Sequence, residues 1–257
     1  MTDSPVPGLA VVERRVEGAL ATVICIHGGL DRGGSFARLA RRSETFNLVA
    51  YDRRGYQGSR SLGPLTLQGH IEDLLAIAER ESARGPVIFF GHSFGGVVAL
   101  GAAIASAASA QLVIAYESPL PWVLHRESSR PVLTKDAAYE AEVFFRRMVS
   151  NSAWERLSER ERQSRLLDGP ALLSDLSSLR TGDVHFDLAD LKTPTLYLHG
   201  DGIIADYYRA LGARLAEVNS VIKVRELAHA NHGAHLSSPD QLSMVISETW
   251  ESLCESA

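Results

Sequence analysis

The stretch Pro86 to Val98, P-V-I-F-F-G-H-S-F-G-G-V-V, constrains the fold of this chain more than any other. Val87, Ile88, Phe89 and Phe90 form a short apolar run, β-branched and aromatic, that suits a strand buried on both faces. Gly91-His92-Ser93-Phe94-Gly95 follows, and then a run of small residues, Gly96 to Ser106, that suits a helix. A strand turning sharply into a helix with Ser at the apex has the layout of a nucleophile elbow. Glycine is needed at 91 and 95 because strand and helix pack closely around a strained turn. The apex hydroxyl would stand clear of the sheet, and the N–H of Phe94, at the helix start, would point where an oxyanion could form. The pentad G-x-S-x-G alone arises by chance in roughly one chain in ten of this size, so the strand before it and the helix after it carry the argument.

On either side of this stretch, apolar strands alternate with helical patterns. Leu9 to Val16 reads as an early edge strand, and Ala21 to Ile26 as a central strand ending in His27-Gly28-Gly29. Gly33 to Arg42 is helical, with Phe36, Leu39 and Ala40 on one face. Phe46 to Tyr51 is a strand, followed by Asp52-Arg53-Arg54-Gly55-Tyr56-Gln57-Gly58-Ser59. Thr66 caps a helix reaching Ser82, with Ile71, Leu74, Leu75 and Ala78 at helical spacing. Gln111 to Tyr116 is a strand ending at Glu117-Ser118-Pro119. Alternation resumes with a strand at Thr195 to Leu198, a helix at Ala205 to Ala216, a strand at Ser220 to Leu227 and a final helix, Pro239 to Leu253. There is no internal repeat and no low-complexity tract. Such alternation predicts an α/β fold: a mainly parallel sheet with helices on both faces.

The segment 120–190 breaks the pattern. It is rich in Arg and Glu, has helical periodicity at Tyr139, Val143, Phe144 and Met148, and offers no strand. Inserted after a strand's C-terminal end, it would lie over the ligand edge of the sheet. The expected organisation is therefore a core of residues 1–119 and 191–257 with a helical cap of residues 120–190.

Composition bounds the partners. With 257 residues, 45% of them hydrophobic and 22% charged, the chain fits one large α/β domain or a domain with an insertion. A net charge of −5 gives no reason to expect nucleic acid or an anionic membrane as partner. The arginine pairs Arg14-Arg15, Arg41-Arg42, Arg53-Arg54 and Arg146-Arg147 read as solvated faces or helix ends. Two cysteines, Cys25 in an apolar strand and Cys254 near the end, make no disulfide framework and suggest a reducing cytoplasm. Met1 to Gly8 is polar and Pro-rich, so no leader is expected, and the uncharged stretch within 94–116 is too interrupted for a membrane span.

From His27-Gly28-Gly29 through Asp52-x-Arg54-Gly55 and the elbow to a late His loop, the sequence resembles the α/β-hydrolases with a helical cap. The order nucleophile, acid, histidine is also theirs. One departure is small: Gln57 stands where the family often has Gly, with Gly58 next. The resemblance implies a serine nucleophile, Ser93, whose hydroxyl needs an imidazole to take its proton. Of His229, His232 and His235, it selects His232, because in such proteins a Pro follows the catalytic His by about seven residues and Pro239 does so here.

The acid is less settled. The family most often places an Asp about three residues past the Gly that ends the strand before, and counting from Gly200 that slot is Ile203. Asp201 and Asp206 flank it out of register. Glu117, at the end of the strand after the elbow, is the other position, used by relatives resembling haloalkane dehalogenases. Glu117 is the expected acid to orient His232, since its strand is one crossover past the elbow and its C-terminal edge should neighbour Ser93; Asp201 is the alternative. The oxyanion donors implied are the amides of Phe94 and Gly29, with Leu30 as alternate; His27 and His92 are expected to be structural. Leu30, Trp122, Phe144 and Met148, with Phe145 and Trp154, would supply apolar pocket walls.

Ser at the apex, where Asp would be needed, argues against alkyl-enzyme chemistry. No Cys/His/Asp run has metal-ligand spacing and Gly28-Gly29 lacks a dinucleotide fingerprint, so neither metal nor cofactor is expected. The function implied is hydrolysis of a small, largely apolar ester, thioester or lactone through an acyl-enzyme on Ser93. C–C bond hydrolysis, lyase or perhydrolase chemistry on the same triad, and a ligand receptor with little turnover, are the other readings.

Overall fold

The computed structural model describes residues 4–125, 136–180, 185–202 and 204–255. Its strands are Val11–Arg14 (β1), Ala21–Ile26 (β2), Phe46–Tyr51 (β3), Val87–His92 (β4), Leu112–Tyr116 (β5), Thr195–Gly200 (β6) and Ile222–Leu227 (β7). They form one sheet in the order β1-β3-β2-β4-β5-β6-β7. Every pairing is parallel except that of β1 with β3. Every residue of β2, β4, β5 and β6 is buried, as continuous apolar runs in a parallel sheet require. The edge strand β7 exposes Lys223, Val224 and Glu226, and its charges blunt an open edge.

The helices are Ala37–Arg42 (α1), Leu67–Ser82 (α2), Phe94–Ala105 (α3), Ala137–Met148 (α4), Asn151–Arg156 (α5), Glu159–Leu167 (α6), Gly169–Arg180 (α7), Ala205–Val218 (α8), Ala234–Ser237 (α9) and Pro239–Glu255 (α10). Side chains alternate across the sheet. Ile24, Phe89 and Val113 face α2, α3 and α8 in one core layer. Val23, Cys25, Phe90 and Ile114 face α1 and α10 in the other. The expected helix from Gly33 opens with a tighter 3-10 turn, Gly33–Phe36, before α1. Strand β4 runs two residues further than its apolar stretch suggests, and α3 starts two residues earlier, so the turn between them is a single residue, Ser93.

Between β5 and β6, the described residues contain the four helices α4 to α7 and no strand. Phe145, Trp154, Ala141 and Leu172 pack there with Leu30 and Tyr56 into a third apolar cluster. Two buried acids of this insert grip the loop after β3. Asp168 accepts from Arg60 at 2.6 Å and from the Gln57 side chain at 2.6 Å. Asp175, on α7, pairs with Arg53 at 2.6 Å and accepts from the Tyr56 hydroxyl at 2.6 Å. Arg53 is fully buried, which corrects the reading of the Arg53-Arg54 pair as a solvated face; Arg54 is half-buried on Asp73. The reason is local: the loop turns inward beneath the insert, where only a paired guanidinium can be accommodated.

Candidate active site

Strand register sets the site. Ile26 lies beside Gly91, His92 beside Tyr116, and Tyr116 beside Leu198, so the C-terminal ends of β2, β4, β5 and β6 adjoin. Ser93 follows β4 with φ 54° and ψ −124°, a conformation that L-residues rarely adopt. Its N–H donates to Tyr116 O at 2.8 Å and its carbonyl accepts from Gly96 N–H at 2.9 Å, which fixes the strained turn. A Cβ at Gly95 would lie 2.1 Å from Ile26 O, and one at Gly91 2.4 Å from Gly96 Cα, so no other residue fits at either place. Phe94 is the first residue of α3, and a first-turn amide has no acceptor within its own helix.

Glu117 follows β5 and also has a positive φ, 45°. Its N–H donates to Leu198 O at 2.8 Å. One carboxylate oxygen accepts from Gly200 N–H at 3.0 Å; the other lies 2.6 Å from His232 Nδ1. Glu117 is buried, whereas the His232 side chain keeps 15% of its surface exposed. The carboxylate therefore holds the imidazole proton on Nδ1 and leaves the lone pair on Nε2. Neither His232 Nε2 nor Ser93 Oγ has a hydrogen-bond partner among the described residues.

The loop carrying His232 is held from several sides. His92 Nε2–H donates to His232 O at 2.7 Å, and the Tyr116 hydroxyl donates to Asn231 O at 2.6 Å. Asp201 accepts from the amides of His229 at 2.8 Å and Ala230 at 3.1 Å, bonds that keep its carboxyl below the usual range. The Tyr208 ring lies parallel to the imidazole, 6.1 Å away. Of the two candidate acids, then, Glu117 meets the ring and Asp201 braces the loop backbone. Asp206 is exposed on Arg209, and Ile203 lies outside the described residues.

Three other histidines near the site, His27, His92 and His235, are held in fixed bonds. His27 Nε2 accepts from the Arg53 amide at 2.9 Å, so its proton sits on Nδ1, 2.7 Å from Gly28 O. Burial, with Arg53 adding to it, pushes its pKa down to about 3. Burial likewise holds His92 well below the ordinary range. His229 is exposed. His235 is buried with Nε2 3.0 Å from Asp31, whose carboxyl it keeps ionised against the effect of burial. Asp31, His92 and His235 are the group best placed among the described residues to hold a metal, with ligand atoms within 4.8 Å of one another. Tetrahedral zinc at about 2.0 Å per ligand needs donors nearer to about 3.3 Å apart. His92 Nε2–H, by donating to the His232 carbonyl, ties this cluster to the loop.

Of the four expected pocket residues, two converge. Leu30 is buried in the third apolar cluster with φ 54°, and Phe144 packs against that cluster. A Cβ at Gly29 would lie 3.6 Å from Phe144 and 3.0 Å from Leu172, so this glycine faces α4 and α7. Trp122 packs instead with His185 and Phe186 against the main core. Met148, half-buried at the end of α4, is not part of the third cluster. Phe145 and Trp154 pack on each other, 5.3 Å apart. Sequence reasoning missed Leu172, Tyr208, Arg53 and Asp175. Asp175 had a signal: it shares the helical spacing of Leu172, Leu176 and Leu179, where an acid is out of place unless paired.

Residues 23–244 match the family model described as the alpha/beta hydrolase family. The chain is 26% identical over 243 residues to pimeloyl-[acyl-carrier protein] methyl ester esterase of Yersinia enterocolitica, covering 87% of this chain and 91% of that one. A shorter match, 34% identical over 89 residues, is to lipase LipV of Mycobacterium tuberculosis; it spans 35% of this chain and 34% of that lipase. Among solved structures, a lipase-esterase related protein from Clostridium acetobutylicum superposes with a TM-score of 0.71 at 16% identity, over 94% of this chain and 99% of that one. A seven-stranded, mostly parallel sheet with a family match over most of its length leads to one conclusion: the chain belongs to the alpha/beta hydrolase family.

Proposed function

We propose that this hydrolase is a serine enzyme cleaving small, largely apolar carboxylic esters, thioesters or lactones, with Ser93, His232 and Glu117 as its triad. The observation that carries the reading is the 2.6 Å contact of His232 Nδ1 with a buried Glu117, on a loop tied to the elbow itself through His92. Ser93 Oγ attacks the acyl carbon while its proton passes to His232 Nε2, and Glu117 stabilises the imidazolium. The amides of Gly29 and Phe94 hold the tetrahedral oxyanion. The bond to the leaving group breaks, and that group takes the proton from His232. Water then attacks the acyl-enzyme, giving its proton to the same ring, and the acid leaves as Ser93 is reprotonated. Every step uses protein groups, substrate and water, so the reaction calls for no cofactor.

Residues 120–190 form the cap in this reading, and Leu30, Phe144 and Leu172 the apolar wall nearest Gly29. The ester chemistry is in keeping with the Yersinia relative, a methyl ester esterase, and the small acyl substrate is the one partner the reading requires. No described helix is long and apolar enough to cross a membrane. The free thiols Cys25 and Cys254 suit a reducing cytoplasm.

Incubation with p-nitrophenyl acetate and butyrate, with Ser93→Ala as control, tests the proposal. Turnover that disappears in Ser93→Ala, with a fluorophosphonate adduct on the wild-type serine, is the expected result. Turnover that survives the substitution would overturn it.

A further inference from the structure

We propose that Arg53 is a positioning residue for the oxyanion site: it clamps the backbone so that the Gly29 amide is presented beside Ser93, and Asp175 of the insert holds the clamp. This rests on the reading of Ser93 as nucleophile and Gly29 as an oxyanion donor.

A peptide unit is planar and trans, so its C=O and its N–H point in opposite directions. The unit that matters here joins the Gly28 carbonyl to the Gly29 amide. Its carbonyl accepts from Arg53 Nη2 at 3.2 Å and from His27 Nδ1–H at 2.7 Å. The preceding carbonyl, His27 O, accepts from Arg53 Nε at 3.0 Å. One guanidinium therefore grips two successive carbonyls from one side, and the Gly29 N–H is turned away from it. The same loop lies against the elbow: a Cβ at Gly28 would lie 2.9 Å from Ser93 Cβ. The same guanidinium lies 4.9 Å from the ring centroid of Phe94, the residue that carries the other oxyanion amide.

Charge works in the same direction. Arg53 is fully buried and its countercharge, Asp175, is 2% exposed. Asp175 is bonded to Nη1 at 3.1 Å and Nη2 at 2.6 Å, while Nε and Nη2 reach the two carbonyls. The ion pair is thus a fixed dipole with its positive end against the loop. A cation donating to a carbonyl polarises that amide and makes its N–H a stronger donor. His70 Nε2, 3.1 Å from Nη1, and Tyr56 OH, 2.6 Å from Asp175, complete the surround. Because Asp175 stands on α7, the insert and the oxyanion site share one rigid link.

The test measures kcat, KM and inhibitor binding with p-nitrophenyl butyrate as substrate. Arg53→Lys keeps the charge but cannot span both carbonyls and Asp175. Arg53→Met with Asp175→Leu removes both charges together, so no unpaired buried ion threatens the fold. Tyr56→Phe takes away a single bond to Asp175 and gives a mild third variant. The expected result for the first two is a kcat lower by about 10- to 100-fold with KM changed less than threefold, consistent with loss of part of an oxyanion donor's contribution. Binding of a trifluoromethyl ketone, which forms the tetrahedral oxyanion, should weaken by the same factor. Binding of the matching methyl ketone should not change. Tyr56→Phe should move kcat the same way by less than tenfold. A folded double variant, or failing that Tyr56→Phe, with kcat and trifluoromethyl ketone binding at wild-type level would overturn the proposal, as would equal losses for both ketones. Ser93→Ala separates the two ideas: turnover surviving there overturns the nucleophile and this proposal with it, whereas turnover lost there with wild-type kinetics and ketone binding in the folded Arg53 variants overturns this proposal alone.

Discussion

Glu117 and Asp175 are two of the buried carboxylates that meet nitrogen groups in this molecule, and the difference between them is instructive. Glu117 faces His232 at the rim of the sheet, and Asp175 faces Arg53 beneath the insert; the contact is 2.6 Å in both. The histidine is 15% exposed and an imidazole exists in both neutral and charged forms, whereas the arginine is sealed and always charged. The first pair suits a group whose protonation must change within each turnover. The second suits a link whose geometry must not change. Similar distances thus serve opposite ends, and the partner's chemistry and exposure decide which.

The largest effect that can break this contrast is on rate. His232→Ala should lower kcat by about 10⁶ and Glu117→Gln by about 10⁴, read with p-nitrophenyl butyrate. If Glu117→Gln turned over at the wild-type rate, its contact with His232 would be merely structural. The next effect is on stability. Asp175→Asn leaves a buried guanidinium uncompensated and should destabilise the fold by about 3–5 kcal/mol in urea titration. Glu117→Gln, beside a histidine that can be neutral, should lose far less, and equal losses would erase the distinction.

Acid separates the regions further. His27 has its folded pKa depressed to about 3, so below its ordinary value, about 6.5, the unfolded chain takes a proton that the folded chain refuses. Its contribution to stability is complete above about pH 6.5 and lost as pH falls from there toward 3, at about 1.4 kcal/mol per pH unit. Asp175, held low by Arg53 in spite of its burial, adds a loss that begins only below about pH 4. Urea midpoints across this range should therefore fall on acidification, and His27→Gln should flatten the upper part of the slope. Smallest of all, Asp201→Asn should leave kcat within tenfold, because Asp201 bonds loop amides and not the ring. A loss near that of Glu117→Gln would reverse the two acids' parts.

Much of the sheet could be read from the chain because its strands are continuous apolar runs. The bounds of β2 and β3 follow directly from A-T-V-I-C-I and F-N-L-V-A-Y. The elbow was legible through its glycines, whose places are filled by neighbouring backbone. The choice of acid was legible in part: strand order favours Glu117 over Asp201, while register and backbone angle decide which carboxylate meets His232. The Arg53–Asp175 pair joins residues 122 apart in sequence, and nothing near Arg53 distinguishes it from the half-buried Arg54. Tertiary pairing of this kind leaves its trace on the acid's side, as a charge on an apolar helix stripe. Pocket walls were the least legible: helical spacing marks Phe144 and Met148 alike, yet only Phe144 packs beside Gly29.

The insert leaves the sheet at Glu117, whose N–H donates to Leu198 O, and rejoins it before Thr195, where Val113 N–H donates to Pro194 O; these two bonds clasp its stems to β6 and β5. An exchange of the intervening helices for those of another relative would leave this clasp intact, so the insert can be grafted as a unit to test whether it sets specificity. The graft has one strict requirement: a carboxylate at the place of Asp175, without which the donor sequence would strand a cation in the interior.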